Sequence, residues 1–175
     1  TAGIFLSASD GEWVEVATHD ALERPVNASY AWMGDQKLAV VEMSAASGLW
    51  RIKPGERDPL HAHTLGTGEF MADAMAHGAE QLLVGLGGSA TNDAGVGMAS
   101  ALGWKFLDAA NNTLAPHPEE FRKISKIVPP DTPLSCRVTG LCDVSNPLLG
   151  AAGATRTFGP QKGASPEMLA TLEES

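Results

Sequence analysis

The segment from Leu82 to Asp93 limits the possible folds more than any other part of the chain. Leu82-Leu83-Val84 is a short, uniformly apolar run of the kind buried inside a sheet. It leads without a spacer into Gly85-Leu86-Gly87-Gly88-Ser89-Ala90-Thr91-Asn92-Asp93. A buried strand that gives way to a glycine-rich turn, and then to small residues ending at Gly103, predicts a strand–loop–helix unit. Just upstream, Phe70, Met71, Ala74 and Met75 recur at helical spacing and Gly78 supplies a stop, so a helix is predicted to about His77. Helix, strand, glycine loop and helix in that order are the signature of an α/β sheet.

The N-terminal part reads differently. Trp13, Val14 and Val16, then Val26 to Trp32 after Arg24-Pro25, then Leu38 to Met43 after Gly34-Asp35-Gln36, are β-branched and aromatic runs between turn residues. They predict an antiparallel meander. Ile4-Phe5-Leu6 fits strand or helix and is closed off by Asp10-Gly11. Trp104 to Leu107 reads as a further strand, residues 108–134 as loop with one short helix, and Ser135 to Cys142 as a final strand. Ser165 suits an N-cap, Pro166 the first helical position and Glu167 the positive helix end. That helix reaches Ser175 without a C-cap signal, and the chain starts at Thr1 rather than Met, which together predict a piece of a longer protein. The predicted fold class is α/β, a mixed sheet with an N-terminal antiparallel meander followed by helix–strand–glycine loop–helix.

Composition narrows the partners. The 175 residues carry a formal net charge of −9, which argues against binding nucleic acid or an anionic membrane, since both need a basic face. With 43% hydrophobic and 19% charged residues, the chain can bury a core and general disorder is excluded. No apolar run approaches the roughly 20 residues of a membrane span. Cys136 and Cys142 fit no zinc spacing and read as free thiols of a reducing, cytoplasmic compartment. The methionines and tryptophans are assigned to the core.

Several constellations could carry chemistry. Backbone N–H groups of the Gly85–Asp93 loop can approach a phosphate or carboxylate closely. Gly85-x-Gly87-x-x-Ala90 also fits a loose dinucleotide fingerprint, but it lacks the acidic residue of a βαβ unit and the Gly-Lys-Ser/Thr ending of a P-loop. A tight strand-to-helix turn capped by Ser89 or Asn92 remains open. Asp93 could complement the helix dipole, accept a proton from a substrate hydroxyl or hold a metal ion. In Leu65-Gly66-Thr67-Gly68-Glu69, Thr67 reads as an N-cap with Glu69 in the first turn. Asp143-Val144-Ser145-Asn146-Pro147 closes a predicted strand, where open α/β sheets place ligands, although an Asx-turn accounts for it equally. Lys162, between Phe158-Gly159-Pro160-Gln161 and Gly163, could neutralise phosphate charge or be simply solvated. His61-Ala62-His63 could be a metal pair, but without a third ligand at a recognisable spacing it reads rather as two surface residues.

Taken in order, six segments resemble the type I bacterial glycerate kinase family. They are Ala39 to Leu49, Arg57-Asp58-Pro59-Leu60, Gly66-Thr67-Gly68-Glu69, Gly87 to Gly95, Cys142 to Leu148, and Phe158 to Ala164. Leu65 stands where the family usually has Tyr, Ala94 where it has a second Gly, and Ser145 where it often has Asp. The last change removes one carboxylate near the expected site. Family members are about twice this length. The resemblance therefore implies that residues 1–9 are a helical stub of a discontinuous first domain, which would make Ile4-Phe5-Leu6 helical. Residues 10–175 would be an inserted α/β domain, incomplete at its C-terminal end.

By the same resemblance, the parent enzyme transfers the γ-phosphoryl group of ATP to a hydroxyl of glycerate, forming 2-phosphoglycerate with Mg²⁺. Such chemistry needs in-line positioning, charge neutralisation and a proton acceptor. Gly87, Gly88, Ser89, Thr91 and Asn92 are then expected to bind glycerate or phosphate. Asp93 is expected as base or Mg²⁺ ligand, Lys162 as the neutralising cation, and Thr67, Glu69, Asp143 and Asn146 as cleft lining. Removing the Asp93 carboxylate is expected to lower turnover about tenfold or more while leaving the fold intact. The fragment alone is expected to be inactive, because a cleft between domains is lost. Two other functions stay open on the residues alone, a non-catalytic ligand-binding domain and a dinucleotide-dependent oxidoreductase domain.

Overall fold

Alternation of side chains along the strands sets the architecture of the computed structural model, which describes residues 1–175. A helix α1 (Ala2–Ser7) precedes strands β1 (Glu12–His19), β2 (Pro25–Met33) and β3 (Leu38–Glu42). Helices α2 (Met43–Ser47) and α3 (Leu65–Ala76) follow, then β4 (Gln81–Gly85), α4 (Val96–Ala101), β5 (Lys105–Leu107), β6 (Lys126–Val128) and β7 (Arg137–Leu141). Helices α5 (Ala154–Phe158) and α6 (Pro166–Glu174) close the chain. The main sheet has the order β1-β2-β3-β4-β7. Its first three strands are the predicted antiparallel meander, whereas β3, β4 and β7 run parallel. β5 and β6 form a separate antiparallel pair.

Period-two alternation divides the core between the two sheet faces. Tyr30, Trp32, Ala39, Val41, Leu82 and Val84 face Phe70, Met71 and Ala74 of α3 and Ala46 of α2. Ala31, Met33 and Val40 point the other way and meet Ala2, Phe5 and Leu6 of α1. The Ile4-Phe5-Leu6 run is thus helical. Three of the four tryptophans depart from the core assignment, Trp13, Trp50 and Trp104 being 53%, 70% and 36% exposed. Trp50 instead donates its indole N–H to the Ser44 carbonyl, and the Arg51 guanidinium lies 4.5 Å from its ring centre.

Helix α3 begins earlier than its predicted cap. Thr64, not Thr67, precedes the first turn, and Thr67 lies inside the helix. The two glycines of the Gly66-Thr67-Gly68-Glu69 motif permit close approach. A Cβ on Gly66 would stand 1.9 Å from the His19 carbonyl oxygen, and one on Gly68 2.5 Å from the Met98 carbonyl oxygen. The motif therefore docks α3 against the end of β1 and against α4. Helix α4 starts later than the glycine loop suggests, at Val96, with Gly95 at the N-cap position rather than Ser89 or Asn92. β6 lies within the stretch expected to be loop. The Ser165 cap is as predicted: its hydroxyl accepts from Met168 N at 3.2 Å. No helix is long and apolar enough to cross a membrane.

Candidate functional site

Parallel pairing of β3, β4 and β7 brings three chain segments to one edge of the sheet. Glu42, Gly85 and Leu141 are register partners, so the three strands end flush. Beyond those ends lie α2, the glycine loop and the Cys142–Asn146 segment, which is where open α/β sheets bind ligands. The loop is held from α2: Leu49 N donates to Gly88 O and Ala90 N to Ser47 O, both at 2.9 Å.

Two cavities of about 550 Å³ and 300 Å³ meet here. Leu86, Ser89 and Lys162 line both, so they form one cleft with Ser89 and Lys162 on the divide. Thr91, Asn92 and Asp93 line the larger part, with Met43, Met98, Leu148 and Leu149 as apolar wall. Gly87, Gly88 and Asp143 line the smaller part.

Lys162 is the central cation. It sits in a helical turn, Pro160–Lys162, and is only 9% exposed. Its ammonium donates to the Thr91 carbonyl at 2.5 Å and to Ser89 Oγ at 3.1 Å. An ammonium has three protons, so one remains for a ligand. Burial pushes its pKa down to about 8, against the opposing pull of the Asp93 charge. The turn is fixed from behind, where Arg57 Nη1 donates to Gln161 O at 2.8 Å. Gly163 follows at φ +97°, so close to Arg57 that a Cβ would stand 2.7 Å from that side chain.

Asp93 is 2% exposed and heavily bonded. Its Oδ2 accepts from Thr64 N at 2.8 Å, Thr64 Oγ1 at 2.7 Å and Gly97 N at 3.0 Å. Its Oδ1 accepts only one longer bond, from Gly95 N at 3.3 Å. Half of this carboxylate thus ties α3 to α4, and the other half retains lone pairs. Its removal is therefore expected to cost stability as well as turnover, because four polar groups would lose their acceptor.

The remaining predicted residues divide. Asn92 Nδ2 donates to the buried Thr155 hydroxyl at 3.2 Å. Asn146 Nδ2 donates to Ala152 O at 2.9 Å and Thr157 Oγ1 at 3.3 Å, which shapes the loop before α5. Thr67, Glu69 and, contrary to expectation, Asn146 do not line the cleft. The Thr67 hydroxyl pairs with Ser47 Oγ at 3.0 Å, and Glu69 accepts from Thr18 Oγ1, His19 N and His19 Nδ1. Both serve the docking of α3. Sequence reasoning missed Thr64 and Arg57, which position Asp93 and Lys162. Thr64 was signalled only by adjacency to the Gly66-Thr67-Gly68-Glu69 motif, and Arg57 stood in a family segment with no role assigned to it.

The fold defines an α/β protein with a cleft at the carboxyl edge of its parallel strands. The chain matches the glycerate kinase family over residues 1–175, and it belongs to that family. It is 41% identical over 178 residues to the glycerate kinase of Bacillus subtilis strain 168, covering 100% of this chain and 47% of that protein. It is 40% identical over 179 residues to the glycerate 2-kinase of Escherichia coli K12, again covering 100% of this chain and 47% of the relative. A crystal structure from Salmonella typhimurium LT2, called a glycerate kinase 2, superimposes with a TM-score of 0.93 at 41% identity, over 99% of this chain and 48% of that one. The chain spans about half the length of the relatives it matches.

Proposed function

We propose that this chain supplies the phosphate-holding half of a glycerate kinase. The whole protein transfers the γ-phosphoryl group of ATP to a hydroxyl of glycerate and releases 2-phosphoglycerate and ADP. The observation that carries this reading is Lys162, a buried ammonium with a proton to spare beside the Ser89 hydroxyl in a glycine-lined cleft. A cation fixed in a partly desolvated site stabilises the charge spread over a transferring phosphoryl group, and it requires no reorganisation during the reaction.

The other residues follow from their geometry. The Gly87-Gly88 backbone borders the same lysine and offers close approach to phosphate oxygens. Ser89, Thr91 and Asn92 offer hydroxyl and amide groups to the carboxylate and hydroxyls of glycerate. As the glycerate oxygen bonds to phosphorus and the bond to the leaving ADP oxygen breaks, the hydroxyl proton passes to Asp93 Oδ1, the oxygen that is not saturated. The donor set also fits Mg²⁺, which needs only one or two protein carboxylates beside phosphate and water. With Asp93 Oδ1 taking the proton, Asp143 is the carboxylate that would hold the ion, and the ion when bound would neutralise phosphate charge.

The length supports a second reading at another level, in which the chain alone binds a ligand without turning it over. A dinucleotide-dependent oxidoreductase is less well supported, because the helix after the glycine loop begins only at Val96 and the loop does not open onto its N-terminus. The test is ³¹P NMR of the whole protein with ATP, Mg²⁺ and D-glycerate, run beside the 175-residue chain. The expected result is 2-phosphoglycerate from the whole protein and none from the chain. ATP left unconsumed by the whole protein would refute the kinase reading.

A further inference from the structure

The sequence presents His61 and His63 without a third ligand, and the structure supplies one from far along the chain. His117 lies with its ring stacked on His63, centroids 5.5 Å apart and planes 23° apart, and edge-on to His61 at 5.2 Å. The two segments are tied together by a backbone bond from Glu119 N to Leu60 O at 3.3 Å. One ligating atom each from His61, His117 and Glu119 falls within 4.8 Å of the others, and so does one each from Glu23, His63 and His117.

Tautomers separate the two groups. His63 Nδ1 faces the N–H of Leu65 at 3.3 Å and so accepts. Its proton is therefore on Nε2, donated to Glu23 Oε1 at 2.9 Å. That ring is satisfied and has no lone pair free for a metal. His61 is the reverse. Asp58 Oδ2 lies 2.8 Å from its Nδ1, and Asp58 Oδ1 is anchored by Leu60 N at 3.1 Å. With Nδ1–H given to Asp58, Nε2 carries the lone pair of the neutral ring and lies 3.0 Å from Glu119 Oε1. A carboxylate oxygen and an imidazole lone pair do not attract each other, but both attract a cation. Two ligands on a tetrahedral zinc with bonds of 2.0–2.1 Å are roughly 3.3 Å apart, close to this separation. Asp58 behind the histidine completes the carboxylate–histidine–metal relay that orients metal-bound imidazoles. The side chains of His61, His117 and Glu119 are 44%, 26% and 39% exposed, so an ion can enter.

We propose that His61, His117 and Glu119 form a site for one divalent transition-metal ion of the zinc class, with Asp58 positioning His61. Two imidazoles and a carboxylate suit zinc and leave its fourth position to water. The bound ion pins the 58–63 segment to the turn that begins at Pro118. Neither the cleft nor Lys162 takes part.

The test is calorimetric titration of metal-stripped protein with Zn²⁺, with thermal unfolding followed in parallel. One Zn²⁺ per chain, bound at micromolar concentration or tighter, is expected, and it raises the melting temperature. His61→Ala combined with His117→Ala should abolish both effects, which also excludes the two cysteines as the ligands. Asp58→Asn should weaken binding about tenfold, as loss of an outer carboxylate does. Glu119→Gln, an exposed and isosteric change, should weaken binding comparably without lowering the metal-free melting temperature. Absence of saturable zinc binding, or binding undiminished in the double variant, would overturn the proposal. An imidazolium of His61 clasped between Asp58 and Glu119 would give the first of these results.

Discussion

Asp93 and Lys162 show how one residue can serve structure and chemistry at once. Four donors converge on the Asp93 carboxylate, three of them on one oxygen. Asp93→Ala leaves those donors buried without an acceptor and should cost about 3–5 kcal/mol of stability. Asp93→Asn keeps one carbonyl oxygen and should cost less than half of that. Urea unfolding midpoints of both variants check this, and equal, small losses would show that the bonds around Oδ2 contribute little. Lys162 carries a pH signature. The folded chain releases its proton near pH 8, whereas the usual lysine value is 10.5, so the unfolded chain binds more protons between those limits. Stability from this residue therefore rises with pH across that window. Ligand binding has the opposite sign, since an anion needs the protonated ammonium. The sequence singled out both residues by their setting beside glycines. It could not reveal their burial or their partners, because Thr64 and Arg57 reach them through tertiary contacts.

Elements were legible where periodicity was strong. The meander, α3, β4, β7 and α6 follow from alternation, helical spacing and caps. The exceptions have local causes. Met43 continues the apolar run of β3 and so reads as its last residue, yet the chain turns into α2 directly after Glu42. Lys126-Ile127-Val128 is too short to signal a strand and pairs only with β5. The start of α4 is displaced because the Asp93 side chain bonds Gly97 N within the first turn. The Gly66-Thr67-Gly68-Glu69 motif belongs at this scale, since its residues join α3 to β1 and α4 rather than lining a cleft. Gly66→Ala would drive a methyl group into the His19 carbonyl, and it should destabilise the chain by about 2 kcal/mol or more. Differential scanning calorimetry would show this, while a melting temperature within a degree of wild type would contradict the tight docking.

For the molecule as a whole, the parallel half of the sheet turns separate sequence motifs into one cleft. The flush ends of β3, β4 and β7 bring together distant segments, and the bond between Lys162 and Ser89 joins residues 73 positions apart. Sequence order alone carried the family resemblance. The spatial sorting of motifs into cleft and scaffold required the fold. Lys162 is the point on which the functional account turns, and the most direct measurement is the pH profile of kcat/KM for ATP-dependent glycerate phosphorylation by the whole protein. The account predicts that the wild-type value falls roughly tenfold per pH unit above about 8 as the ammonium loses its proton. Lys162→Met should lower it about a hundredfold or more at pH 7 and abolish that slope. A Lys162→Met enzyme with near-wild-type activity and the same slope would contradict it.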